Sequence, residues 1–97
     1  MNKQTILNQL RRNIAEIRTR FSVRRLSVFG SLARGQIAEG SDLDVLVGFE
    51  GEGTFDLFMD LKFYLEDVLQ RRVDLVTDKA LRPQVRSAIE GELIHVA

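Results

Sequence analysis

The sequence predicts an α+β domain in which helices cover a small mixed β-sheet. Three observations lead there: helical spacing of apolar residues in two long segments, short alternating or β-branched runs between them, and enough apolar material for one core. The chain has 97 residues, 44% hydrophobic and 29% charged, with seven Gly and one Pro. That composition suits a single globular domain and excludes disordered, collagen-like and low-complexity chains. No apolar run is long enough to span a bilayer, and the first thirty residues hold no signal-type apolar core. Cysteine is absent. Disulfides, thiolate metal sites and cysteine nucleophiles are therefore excluded, and the reducing cytoplasm is the expected location.

The elements follow in order. Ile6, Leu7, Leu10, Ile14, Ile17 and Phe21 recur at helical spacing and predict one helix over 5–21 with arginines on its other face. Residues 24–29 alternate as a short strand that Gly30-Ser31 ends. A turn or helix start over 31–35 closes at Gly35, and 36–41 reads as loop. Residues 42–49 form the next strand, with Gly48 and the Gly51-Glu52-Gly53 stretch marking its exit. Thr54 suits the cap of a helix whose apolar positions include Phe55, Phe58, Leu61, Leu65, Val68 and Leu69. Residues 72–77 form a strand. A short helix containing Pro83, Val85 and Ile89 stops near Gly91, and 93–96 close the chain as a last strand. The expected organisation is one domain, 1–97, with an N-terminal helix (1–20) ahead of a core (23–97).

Net charge is zero, with 14 basic and 14 acidic residues, which argues against a protein that coats nucleic acid. The charges are nonetheless polarised. Residues 1–40 carry eight Lys/Arg against Glu16 and Glu39, whereas 41–70 carry Lys62 against eight Asp/Glu.

Chemistry concentrates between residues 28 and 47. Asp42 and Asp44 stand two apart on an expected strand, so both face one side while Leu43, Val45 and Val47 face the core. Adjacent carboxylates repel, and a divalent cation such as Mg²⁺ relieves them. A solvated strand entrance is the plainer reading of that pair alone. Gly30-Ser31 permits close backbone approach to an anion and adds a hydroxyl donor, but a generic turn also has this composition. Together the two halves are specific. Gly-Ser, ten residues, then Asp-x-Asp should arise by chance in roughly one in a thousand chains of this length. Gly30 and Gly35 have P-loop spacing, yet Gln36 and Ile37 stand where Lys and Ser/Thr belong. No G-x-G-x-x-G occurs, so a dinucleotide fold lacks support.

Gly30, Ser31, Asp42 and Asp44 resemble the signature of the nucleotidyltransferase superfamily that includes DNA polymerase β. The form Gly-Ser-x-Ala-Arg-Gly…Ser-Asp-Leu-Asp in so short a chain looks like the minimal nucleotidyltransferases. These are commonly encoded beside a HEPN-domain partner as the antitoxin of a toxin–antitoxin pair. The resemblance covers residues 20–97 and implies a nucleotidyltransferase fold. It also implies a third carboxylate on a neighbouring strand, for which Asp74 is the candidate. The period-2 alternation places Val73 and Leu75 in the core and Asp74 on the opposite face. The implied chemistry is two-metal catalysis, with Asp42, Asp44 and Asp74 holding two Mg²⁺ ions and Asp74 accepting the acceptor's proton. Gly30 and Ser31 would bind the terminal phosphates of ATP, and Arg34 is close enough to add a charge-assisted contact. Arg72 is the next candidate, on the face of Asp74.

A domain this small has no room for its own acceptor-binding walls, so the acceptor is expected on a docking partner. A tyrosine hydroxyl of a HEPN ribonuclease toxin is the acceptor the resemblance implies. Two alternatives stay open: a non-catalytic antitoxin that masks its partner with its carboxylates, and a small-molecule transferase such as one modifying an antibiotic. Phe55, Phe58, Phe63 and Tyr64 read as core or partner surface, and His95 as a packing or surface residue. Ser27 and Ser41 have no nearby His in the sequence to activate them.

Overall fold

A computed structural model describes residues 2–36 and 40–97. Met1 in the expected N-terminal helix, and Ile37, Ala38 and Glu39 in the expected 36–41 loop, lie outside the described residues.

Helix α1 (Lys3–Arg12) begins where Asn2 caps it, its side-chain oxygen accepting from the Thr5 amide at 2.9 Å. It buries Ile6, Leu7 and Leu10. The single helix expected over 5–21 is in fact two, because Asn13 interrupts it. The Asn13 side chain donates to the Gln9 carbonyl at 2.8 Å, the local competition with the helix ladder that makes Asn a helix breaker. Helix α2 (Ile14–Phe21) then buries Ile17 and Phe21 and ends at Ser22 in the left-handed conformation.

Strand β1 (Val23–Phe29) pairs antiparallel with β2 (Leu43–Phe49). Helix α3 (Phe55–Leu69) starts at Thr54, whose hydroxyl accepts from the Leu57 amide at 3.1 Å. It carries the chain back so that β3 (Val73–Thr77) lies parallel to β2, as a parallel pair requires a long crossover. A short 3-10 turn (Asp78–Ala80), helix α4 (Pro83–Glu90) and strand β4 (Ile94–His95) complete the order. Strand β4 pairs antiparallel with β1, and the sheet runs β3-β2-β1-β4. The mixed sheet under helices is the fold expected.

The strands sort their side chains by alternation. Leu26 and Val28, Leu43, Val45 and Val47, and Val73 and Leu75 point to one face. There they meet Ile6, Leu10, Ile17, Phe21, Leu61, Leu65 and Leu69 in one buried core. Asp44, Leu46, Ser27, Asp74 and His95 belong to the other face, part of which α4 covers. Leu32, in the turn after β1, is 1% exposed and anchors that turn to the core.

The α3 aromatics divide. Phe55 and Phe63 are 75% and 56% exposed, so Phe55 is not a core position of its helix. Phe58 and Tyr64 are half-buried. The Tyr64 hydroxyl donates to Glu16 at 2.8 Å, and burial together with that bond pushes its pKa up to about 12. Loss of the α3 cap in Thr54→Ala should cost about 1 kcal/mol, read as a lower denaturant midpoint at unchanged slope.

Candidate active site

Asp44 lies directly opposite two positions that matter. On β1 its register partner is Phe29, the residue before Gly30. On β3 its partner is Asp74. Parallel pairing thus brings together two carboxylates that stand thirty residues apart in sequence. At this register the two side chains share the face of the sheet away from the core, and their charges repel. The Asp44 carboxyl is held above its ordinary value of 3.8, first by burial, then by the charges of Asp74 and Asp42, with Arg34 opposing.

Gly30 follows β1 with φ +75° and is buried. A β-carbon here would overlap Oδ2 of Asp44 and stand 3.0 Å from its Cγ. The carboxylate therefore rests on the bare glycine α-carbon. Residues 31–35 form no helix. They wrap a hydrogen-bonded turn in which the amides of Arg34, Gly35 and Gln36 donate to the carbonyls of Gly30, Leu32 and Ser31 at 3.2, 2.9 and 2.8 Å. Half-buried Ser31 thus sits in a tight turn, one of the two forms the sequence leaves open for 31–35.

Asp42 departs from expectation as well. It precedes the strand instead of lying in it, and it faces Arg72, whose Nε is 3.2 Å from its Oδ1. Both side chains are well exposed, so the pair adds little stability. Arg72 also donates to the Gly40 carbonyl at 3.3 Å. Its position beside Asp42, more than beside Asp74, is the placement the structure gives it. Among the described residues no three Asp, Glu, His or Cys side chains are gathered closely enough to hold a metal ion.

Arg34 pairs with Glu92 at 3.0 Å. Glu92 also accepts the Gly30 amide at 3.0 Å. That backbone bond, followed by the one from Arg34, holds the Glu92 carboxyl below its ordinary value of 4.5. No sequence signal marks Glu92, because 62 residues separate it from Gly30 and only the β1–β4 pairing brings them together.

The expectation that Ser27 lacks a histidine is overturned. Ser27 and His95 are register partners, and Ser27 Oγ lies 2.8 Å from His95 Nδ1. Ser27 is fully buried, and the pair satisfies a hydroxyl inside the sheet. His95 thus has a partner the sequence did not show. A cleft of about 270 Å³ opens on the same sheet face, between Leu46 and His95 on the sheet and Leu81 and Ile89 on the α4 side.

A sheet whose open face sets paired aspartates against a glycine–serine turn is the arrangement of a nucleotidyl-transferring domain. The nucleotidyltransferase domain model matches residues 10–96, and the chain belongs to that family of transferases. The protein adenylyltransferase MntA of Thermococcus cleftensis is 42% identical over 81 residues, spanning 84% of this chain and 82% of the relative. A solved minimal nucleotidyltransferase superposes with a TM-score of 0.83 at 39% identity, covering 97% of this chain and 95% of that one. The structure of a tri-AMPylated Shewanella oneidensis HEPN toxin in complex with its MNT antitoxin matches with a TM-score of 0.70 at 16% identity. The overlap is 98% of this chain and 71% of that chain, and at that identity the likeness is one of fold. Among the described residues no helix is long and apolar enough to cross a membrane.

Proposed function

We infer that this chain is a protein adenylyltransferase of the antitoxin kind, a single catalytic domain acting in the cytoplasm on a HEPN-type ribonuclease partner. It would transfer AMP from ATP to a hydroxyl of that partner, a tyrosine's by preference. The observation that carries the reading is the juxtaposition of Asp44 and Asp74 across β2 and β3 against Gly30. The 42% identity to a protein adenylyltransferase supports the reaction. The shared fold with an antitoxin bound to an AMPylated HEPN toxin supports the partner class.

Asp44 and Asp74 suit a divalent cation, since the register pairing sets two carboxylates side by side and a cation would relieve their repulsion. Asp44 and Asp74 would hold Mg²⁺, with Asp42 joining them on leaving Arg72, and the ion would supply charge neutralisation for the triphosphate and a lowered pKa for the acceptor hydroxyl. The chain's own residues do the rest. Gly30 offers its amide to the phosphates, Ser31 a hydroxyl, and Arg34 a guanidinium. The acceptor oxygen bonds to the α-phosphorus, the bond to the β-phosphate bridge breaks, and pyrophosphate leaves. Asp74, the more exposed of the strand pair, takes the acceptor's proton.

The test uses the chain together with its partner and ATP labelled at the α- or the γ-phosphate. Label from the α position, and none from the γ position, should appear on the partner. Neutralisation of the partner without any label would replace catalysis by masking.

A further inference from the structure

Glu92 sits where an anion belongs. Its Oε1 accepts the Gly30 amide and its Oε2 accepts from Arg34, each at 3.0 Å. These are two of the three groups assigned above to the triphosphate. The Gly30 amide carries one hydrogen, so at this distance it serves the carboxylate or a phosphate oxygen, not both. A carboxylate is also the side chain that best imitates a phosphate edge, with two acceptor oxygens and a negative charge that a guanidinium favours. A triphosphate brought to the same donors would press its charge against Glu92, beside a site that already holds Asp42, Asp44 and Asp74.

The segment bearing Glu92 is lightly held. It is a turn between α4, which buries none of its residues, and β4, which is two residues long. Segments with few buried contacts open at low free energy. We propose that Glu92 is an internal stand-in for the substrate's phosphate. It closes the anion cradle while no nucleotide is bound, and it must leave Gly30 and Arg34 for a triphosphate to enter. The inference rests on the nucleotide reading of Gly30, Ser31 and Arg34. It adds that the chain weakens its own affinity for the triphosphate while gaining a firmer empty fold.

The test is calorimetric titration of the full chain with ATP and with inorganic tripolyphosphate, both with Mg²⁺, in parent, Glu92→Gln and Glu92→Asp. The melting temperature of each empty protein is measured alongside. Glutamine keeps an oxygen for the Gly30 amide but loses the charge, so the fold should persist. Aspartate keeps the charge but is one methylene short. Both variants should melt below the parent when empty, and Glu92→Gln should bind ATP about tenfold tighter, the scale of one charged hydrogen bond. The gain should be similar for tripolyphosphate, because Glu92 competes with phosphate and not with the base. Glu92→Asp should tighten binding in the same direction, which covers the case in which the Gln variant does not fold. Unchanged affinity with a lowered melting temperature would make Glu92 a mere brace and overturn the proposal. So would weaker binding, which would place Glu92 as a support for Arg34 on the bound nucleotide. If the parent and both variants bind neither probe, the nucleotide reading fails and the stand-in fails with it.

Discussion

Asp44→Asn should reduce label transfer from ATP by at least about 10³-fold, at or beyond the upper end of what removal of one preorganised transition-state group costs. The same change should leave the empty protein as stable as the parent or more so. Asp44 is half-buried beside Asp74 and feels Asp42 as well, so its charged form is unfavourable in the fold. Asparagine removes that charge at nearly the same size. The difference between the two proteins depends on pH in a defined direction. The Asp44 carboxyl is raised in the folded state, so its contribution is complete below the ordinary value of 3.8 and is lost as pH rises through the folded value. Parent stability relative to Asp44→Asn should therefore fall from acid towards neutral pH. Mg²⁺ with ATP should raise the parent's melting temperature clearly and that of the variant much less. An Asn variant that melts well below the parent at neutral pH would give Asp44 a structural role instead. Partner binding should survive the change if catalysis neutralises the partner. Its loss would favour masking.

The Gly30-Ser31 and Asp42-x-Asp44 halves are legible because each stands at the end of a strand that local alternation marks, although Asp42 itself falls just before β2. Asp74 is legible for its face but not for its neighbour. The register Asp44↔Asp74 depends on how far α3 carries the chain before β3 begins, which no local pattern encodes. Helix spacing continues through Leu10, Ile14 and Ile17, so the interruption at Asn13 is invisible to periodicity. It arises from one side-chain amide reaching back to Gln9. The stretch after Gly30 reads as a turn or a helix start, and Gly35 at φ +73° decides for the turn by ending it after one wrap. Glu92 and the Ser27–His95 pair are hidden for a common reason. Both are products of β4 docking on β1, the longest-range strand pairing in the sheet.

Gly30→Ala should damage the protein twice, and a matched control separates the two effects. An alanine at φ +75° incurs the left-handed penalty of about 1–2 kcal/mol. Its β-carbon would also overlap the Asp44 carboxylate, and overpacking of that kind typically costs a further 1–3 kcal/mol or so. Relief is available only by moving Asp44, since the other side of the clash is backbone. A displacement of about 1 Å in a positioned reacting group costs on the order of 10²-fold in rate, so transfer should fall at least that far even in the fraction that stays folded. Gly35 is the control. It has φ +73°, but a β-carbon placed there would meet nothing within 4 Å. Gly35→Ala should therefore carry the backbone penalty alone and retain most of its transfer activity. Denaturant midpoints and α-label transfer, measured on both variants, read the two contributions apart. Equal losses in the two proteins would mean that the contact between Gly30 and Asp44 contributes nothing, and the carboxylate would then not be held by the glycine turn at all.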